Sequence, residues 1–359
     1  MTIYTSINRL MPFAKTKPLP GKSETPTNPA TIIPSTAVIT CSYGNVDDLK
    51  RSAVQRALDE WGSQDYAPSD GIFIELVLPG LEPMWEHSSL PSWMRYIKIY
   101  GKERNRNIFQ KEALWNIATK MTDANKLCYL DNDVMPLDNK KYFKQLFDAT
   151  VPGTVVHAGW KLVAEKEPVN IERYSYMVDP KDKRFADKAK FPGLGYCLTR
   201  EDYIARDGFN PMSIPGSGDA IFIWESCQSV TYPVYNARKY HQGITRKGLP
   251  QLKPYAVPGM VVQHNFHGPY SNRAYRWSRE VMQLFGNPNA YCHLDSAGLV
   301  AWNDVDFLLK DILANKSRMP DKDSTYQYIC EIIKKRLDIQ DSNDKSNTII
   351  SRENTDKYN

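Results

Sequence analysis

The sequence predicts an α/β protein: a mixed, mostly parallel sheet flanked by helices, with a helical C-terminal region. Three observations predict it. Apolar runs of strand length alternate with amphipathic stretches of helical length between residues 36 and 133. Their order is strand, helix, strand, strand, helix, strand, which fits parallel crossovers. The 359 residues are 42% hydrophobic, enough for a sizeable core in one large domain or two modest ones.

The elements follow in order. Residues 1–36 are rich in proline, threonine and serine and read as an extended, poorly ordered arm. "TAVITCSYGN" at 36–45 reads as a strand closed by a Ser-Tyr-Gly-Asn turn. In "VDDLKRSAVQRALDEWG", Val46, Leu49, Val54 and Leu58 recur near helical spacing. "GIFIELVLPG" (71–80) and "RYIKIYG" (95–101) are the next strands, and "NIFQKEALWNIATKM" (107–121) is an amphipathic helix. The fourth strand, "LCYL", runs directly into Asp131, Asn132 and Asp133.

The second half is more mixed. "VVHAGWKLV" reads as a strand, "DPKDKRFADKAK" as a solvated loop, "GLGYCLT" (193–199) as a strand and "REDYIA" as a helix. "SGDAIFIWESC" (217–227) reads as a helix and "GMVVQHNFHG" (259–268) as a strand ending in ligand-type side chains. "SNRAYRWSREVMQLFG" is a basic amphipathic helix. The expected divisions are an arm at 1–36, a catalytic domain at 37–302, a helical extension at 303–338 and a disordered tail at 339–359.

Composition excludes several classes. The formal charge of +5 permits an anionic partner without requiring one. The six cysteines are scattered with no C-x-x-C pair, which argues against a zinc site or a disulfide framework and for reduced thiols. No apolar run reaches membrane-spanning length and no signal-peptide core is present, so a soluble cytoplasmic protein is expected. P-loop, dinucleotide-binding and nucleophile-elbow signatures are absent.

Four constellations could carry chemistry. Asp131 and Asp133 lie where a buried strand ends, and ligands of such sheets sit outside the carboxyl ends of the strands. Two carboxylates there could share Mg²⁺ or Mn²⁺ with a diphosphate; the plainer alternative is a pair of solvated loop acids. His264 and His267 follow an apolar strand, and His267, before a glycine, is the better candidate for a further metal ligand; the plainer alternative for a lone histidine is a ring hydrogen-bonded in a loop. Arg273, Arg276 and Arg279 share a helical face suited to a diphosphate, or to solvent. Asp219 either caps its helix or aims a carboxylate into a cleft as an acceptor base, and capping is the plainer choice. In "GKERNRNIFQKE", Lys102, Arg104, Arg106 and Lys111 stand against Glu103 and Glu112. A nucleotide phosphate or an anionic acceptor could meet some of these cations, and a solvated face accounts for the rest.

"AVITCSYGN", "YLDNDVMP", "GYCLTRED…GSGD" and "HNFHG", in that order, resemble the nucleotide-sugar-dependent glycosyltransferases of the GT-A fold, a Rossmann-like architecture. "FQKEALWN…YLDND", "PGSGD" and "HNFHGPYSNRAYRWSRE" are similar to a GT-A group associated with bacteriophage genomes, over roughly residues 36–305. The resemblance implies that Asp131 and Asp133 hold Mn²⁺ or Mg²⁺ on the donor diphosphate and that His267 completes the metal sphere. It implies that Asp219 is the acidic residue near the acceptor. Thr40, Ser42 and Tyr43 are implied to contact the nucleoside, with a UDP-sugar as the expected donor. Many relatives have Glu-Asp where this chain has Gly218-Asp219, a departure that bears on Asp219 as base.

Phage relatives imply a hydroxylated or hydroxymethylated pyrimidine in double-stranded DNA as acceptor. A phosphate-tracking face could come from Lys102, Arg104, Arg106, Arg238, Lys239, Arg246 and Lys247, and a flipped base could be received by Tyr240, Trp224 or Tyr270. The alternatives are a surface-glycan or lipid-linked saccharide acceptor, and a non-catalytic nucleic-acid-binding protein.

Overall fold

The computed structural model describes residues 35–43, 47–105, 108–165, 173–177, 189–213, 216, 218–227, 244–266, 289 and 292–303. The proposed arm up to residue 34, the basic helix at 271–286, the C-terminal extension beyond Asn303 and the tail lie outside the described residues. So do His267, Arg273, Arg276 and Arg279.

The first half follows the predicted alternation. β1 (Thr36–Tyr43) leads to α1 (Asp48–Gly62), β2 (Asp70–Val77), β3 (Arg95–Tyr100), α2 (Lys111–Thr119) and β4 (Lys126–Leu130). Asp47 caps α1 by accepting from the Lys50 N–H at 2.8 Å. The buried face of α1 is Ala53, Val54, Ala57, Leu58 and Trp61, whereas Leu49, expected on it, is exposed. α2 starts four residues later than the pattern suggests. Gln110 precedes it, and its side-chain amide is paired in both directions with the Val300 backbone (2.7 and 3.0 Å).

β5 (Val134–Pro136), α3 (Tyr142–Ala149), β6 (Thr154–His157), β7 (Lys161–Ala164), β8 (Arg173–Ser175) and β9 (Ala189–Phe191) follow. Then come β10 (Gly195–Thr199), α4 (Arg200–Ala205), α5 (Gly218–Ser226), β11 (Lys253–Ala256), β12 (Val261–His264) and the hairpin β13 (Cys292–Leu294) and β14 (Val300–Trp302). "VVHAGWKLV", read as one strand, is two: β6 and β7 separate at Ala158–Trp160 and enter different sheets. The last two residues of the expected loop "DPKDKRFADKAK" belong to β9.

The main sheet has seven strands in the order β11-β6-β10-β4-β1-β2-β3. β3, β2, β1 and β4 pair in parallel; β10 runs antiparallel between β4 and β6; β11 is parallel to β6. Strand alternation sends Ala37, Ile39, Ile72, Ile74, Leu127 and Tyr129 to one face, against Leu114 and Trp115 of α2 and Phe222 and Ile223 of α5. Val38, Phe73, Cys128 and Cys197 face the other way, onto α1 and α3. The central strands are therefore covered on both sides, which is why they read as unbroken apolar runs. A second sheet, β5-β12-β7-β8-β9, brings the end of β12 beside the turn after β4.

Candidate active site

The carboxyl ends of β1 and β4 meet the amino end of antiparallel β10, where Gly195 stands opposite Leu130. Gly195 has φ +140°, and a Cβ there would lie 2.0 Å from the Tyr129 carbonyl, so only glycine lets the backbones approach this closely. The loop entering β10 thereby grips Asp131. The Asp131 N–H donates to Leu194 O (2.9 Å), and the Leu194 N–H donates to Asp131 Oδ2 (3.3 Å).

The turn 131–133 separates its three side chains. Asn132 is buried and donates from Nδ2 to Cys41 O (2.8 Å), tying the end of β4 to β1. Asp131 points to α2 and α5. Its Oδ1 accepts from Lys111 Nζ at 3.1 Å, and the same ammonium donates to Asp219 Oδ1 at 2.9 Å. Asp133 is buried on the side of β12, with Oδ1 3.6 Å from His264 Nε2. These are not two solvated loop acids.

Lys111 sits among three carboxyls. Glu112, its neighbour on α2, places Oε1 4.0 Å from Nζ. Glu112 is as buried as the core, and among the described residues neither of its oxygens meets a partner in hydrogen-bonding geometry, although its own backbone N–H favours the charged form. Leaving such a group unsatisfied costs about 1–3 kcal/mol or more. Burial raises its pKa to about 8, against the opposing pull of Lys111. Burial likewise raises the Asp219 carboxyl, Lys111 resists and Asp131 adds to the rise. Burial works against the charge on Lys111, but Asp131, Asp219 and Glu112 together outweigh it and hold its pKa well above the ordinary value.

Gly218 makes the arrangement possible. A Cβ there would stand 1.9 Å from Glu112 Oε1, so the carboxyl of α2 occupies the space that a side chain at the start of α5 would need. Asp219 does not spend its carboxylate on capping alone, since its Oδ1 is bound to Lys111. Behind it, His157 is buried between carbonyls, with Nδ1 2.8 Å from Gly159 O and Nε2 2.7 Å from Gly193 O. Burial lowers its pKa while the carbonyls favour the charged ring. His157 supports the Pro192–Leu194 loop that holds Asp131.

Other expected residues have other tasks. Thr40 is fully buried and donates to Leu130 O (2.8 Å), and Ser42 accepts from Trp85 Nε1 (3.3 Å). The Thr40 hydroxyl is thus spent on the main-chain carbonyl of β4, and the Ser42 oxygen on the Trp85 indole. Tyr43 is half-buried at the end of β1, edge-on to Phe109 at 5.3 Å, and Lys111 lies 5.8 Å from that Phe109 ring. Arg246, expected on a phosphate-tracking face, is turned inward to Glu225 and to three carbonyls. Arg104 donates to Asn303 O (2.8 Å). Arg106, Arg238, Lys239, Tyr240 and Tyr270 lie outside the described residues.

Glu112 and His157 do not stand out in the sequence as site residues, and His267, expected ahead of His264, lies outside the described residues. Glu112 was legible in part: Lys111 and Glu112 precede Trp115 by four and three residues, so they extend the buried face of α2.

A carboxylate oxygen and an imidazole nitrogen 3.6 Å apart, too far for a hydrogen bond, form a donor pair that fits Mn²⁺. Among the described residues no group of three or more His, Cys, Asp or Glu gathers around one point, so an ion here would take further donors from water or a diphosphate. Among the described residues no helix is long and apolar enough to cross a membrane.

No family model matches the chain. No curated protein matches it. Among solved structures it is similar to S. aureus TarS 1–349 in complex with UDP, at 12% identity and TM-score 0.37, over 53% of this chain and 54% of that one. It is similar to the same TarS fragment with UDP-GlcNAc (11% identity, TM-score 0.39, 84% of this chain and 71% of that one). A third is the mannosyltransferase PcManGT from Pyrobaculum calidifontis in complex with GDP-Man and Mn²⁺, at 13% identity and TM-score 0.37, over 86% of this chain and 71% of that one. The chain spans about half the length of the first of these. Likenesses this distant assign no residue, and the site's chemistry rests on its own geometry.

Proposed function

We propose that the protein is a metal-dependent glycosyltransferase of the GT-A type. It moves a hexosyl or pentosyl group from a nucleotide sugar, with a UDP-sugar as the expected donor, to a hydroxyl acceptor. The observation that carries this reading is the acid cluster at the carboxyl end of β4, where Asp131 and Asp219 converge on one buried ammonium at the default ligand position of a parallel sheet. The order of the sequence motifs supports it.

In this reading Asp133 and His264, with Asp131 and His267 as the further residues that the sequence motifs point to, would hold a divalent ion completed by water and the donor diphosphate, and the ion would stabilise the charge developing on the departing nucleoside diphosphate. Tyr43 borders the nucleoside, and Lys111, with Arg273 and Arg276, meets the diphosphate. Asp219 accepts the proton of the acceptor hydroxyl as its oxygen bonds to the anomeric carbon and the bond to the phosphate oxygen breaks.

For the acceptor we propose a hydroxylated or hydroxymethylated pyrimidine in DNA. Lys102 and Lys247, exposed in the described structure, would contribute phosphate contacts, and half-buried Trp224 would stack on the base. The inward turn of Arg246 removes one of the expected cations, while Arg104 stays exposed as it donates to Asn303 O. That observation favours a saccharide acceptor as the second reading.

Mass spectrometry of nucleosides tests this directly, after incubation of plain and hydroxymethylated duplex DNA with Mn²⁺ and a panel of nucleotide sugars. A mass gain on the modified base, steeply suppressed by salt, establishes DNA as acceptor. Sugar transfer to saccharides alone, insensitive to salt, moves the acceptor to glycans.

A further inference from the structure

His157 ends β6 with both ring nitrogens on carbonyl oxygens: Nδ1 is 2.8 Å from Gly159 O and Nε2 is 2.7 Å from Gly193 O. A neutral imidazole carries one N–H and can serve only one of them; the other contact would set two lone pairs against each other. Among the described residues neither carbonyl has another donor. Both contacts are therefore bonds only when the ring is doubly protonated. When one proton leaves, the two sides are not equal. Gly159 is buried, whereas Gly193 is half-buried and its carbonyl can turn to water. An orphaned carbonyl costs more where water cannot reach it, so the remaining N–H stays on Gly159 and Gly193 O is released.

Gly193 O belongs to the same planar peptide unit as the Leu194 N–H, and in a trans unit the two point opposite ways. His157 holds one edge of that plane. Asp131 holds the other, since its Oδ2 accepts from the Leu194 N–H at 3.3 Å. The hold is strained: Leu194 has φ +89°, a backbone region that a bulky side chain rarely adopts. Such a conformation persists only where its surroundings fix it. Turning the plane changes ψ at Gly193, which tolerates the change, and takes Leu194 out of positive φ.

We propose that His157 is a proton-operated latch on the Gly193–Leu194 peptide, and through it a positioning residue for Asp131. With two protons the ring holds the plane and keeps the Leu194 N–H on Asp131. With one, the plane turns, Leu194 relaxes and Asp131 Oδ2 is released to the cleft. The step moves one proton between ring and solvent and makes no covalent bond. Among the described residues two titratable groups face the ring: Asp219 on α5, whose charge favours the second proton, and Tyr196 on β10, 5.5 Å away. Phe191 of β9 and Ala256 of β11, its other neighbours, bring no charge. Burial outweighs Asp219 and the carbonyls and holds the ring's pKa below the ordinary 6.5. The latch therefore closes in acid and opens as pH rises toward neutrality. The inference deepens the reading of this site as catalytic and rests on it for its consequence, the setting of Asp131; the latch itself is tested without turnover, so the two can fail separately.

The test is a titration of the full-length, ¹⁵N-labelled protein between about pH 5 and pH 8. Nuclear magnetic resonance reads the His157 ring nitrogens and the hydrogen exchange of the Leu194 amide, corrected for the intrinsic pH dependence of exchange. At the acid end both nitrogens carry a proton. As one leaves, Nδ1 keeps its proton and protection of the Leu194 amide falls about tenfold with the same midpoint. The Ala158 amide, which donates to Gly195 O, is the control and does not change. His157→Gln, which offers donors on one side only, shows the low Leu194 protection at every pH. Leu194 protection that stays level across the ring's titration would overturn the proposal. So would a ring that takes no second proton down to about pH 5, a neutral ring protonated on Nε2, or an unchanged Leu194 profile in His157→Gln. If that variant does not fold, the titration of the unaltered protein decides alone.

Discussion

Glu112 on α2 and Glu225 on α5 are both shut off from water, and the fold treats them in opposite ways. Glu225 accepts from Asn210 Nδ2 (2.9 Å), from the Arg246 backbone N–H (2.8 Å) and from the Arg246 guanidinium through Nε and Nη2 (Nη2 at 2.7 Å). Glu112 accepts nothing in hydrogen-bonding geometry among the described residues. Arg246 in turn donates to the carbonyls of Arg206, Asp207 and Gly208, so the Glu225 network fastens the end of α4 to α5. A satisfied buried charge of this kind is architecture. An unsatisfied carboxyl, packed against a glycine in the company of Lys111, Asp131 and Asp219, costs stability. The difference teaches where to look for function in this molecule: at the acid that the structure leaves unsatisfied.

The largest effect that sharpens this contrast is on activity. Asp219→Asn lowers sugar transfer by about 10²–10⁴-fold, the range expected for loss of a general base, with the thermal midpoint held or raised. A comparable loss accompanied by unfolding would place Asp219 with Glu225 as architecture. Next is Glu225→Gln, which leaves Arg246 without a charged partner in a buried site. It destabilises the protein by about 3–5 kcal/mol in urea unfolding. A neutral result would erase the contrast between the two acids.

A smaller effect concerns pH. The Glu112 carboxyl ionises near 4.5 when unfolded and at about 8 when folded. Between those values the folded state binds the extra proton, so this group's contribution to stability falls as pH rises from about 4.5 to about 8 and is level above. Glu112→Gln removes that fall. The variant therefore gains on the unaltered protein, by on the order of a few kcal/mol at pH 8 and by little at pH 4.5. Parallel pH profiles for the two proteins would show that Glu112 is compensated by something other than burial against Gly218. The smallest effect is at the surface. Lys102→Ala reduces the salt slope of DNA binding by about one and leaves donor turnover unchanged, and an unaltered slope removes Lys102 from the acceptor face.

The sequence displayed the α/β core clearly because doubly covered strands must be apolar throughout. β1, β2 and β4 stood out for that reason, and α1 and α2 through their buried stripes. Short strands whose identity depends on long-range partners did not stand out. β8, β9 and the β13–β14 hairpin are three residues each, and β6 and β7 ran together because a bend at Ala158–Trp160 carries no proline or turn pair. In the site, Asp131 and Asp219 were visible because acids interrupt apolar or glycine-rich stretches. Glu112 was hidden by its setting, since a lysine–glutamate pair at a helix start reads as solvated surface until the partner elements are placed. Arg246 failed the opposite way, because the carbonyls that take its donors come from the C-cap of α4 and the loop after it.

The account stands most directly on Asp131. Release of nucleoside diphosphate from a panel of nucleotide sugars, followed with and without Mn²⁺ for the unaltered protein and for Asp131→Asn, tests it in one experiment. The account predicts Mn²⁺-dependent release from at least one donor, reduced by about a hundredfold or more in the variant. Release that is equal in Asp131→Asn, or no release from any donor, would contradict it.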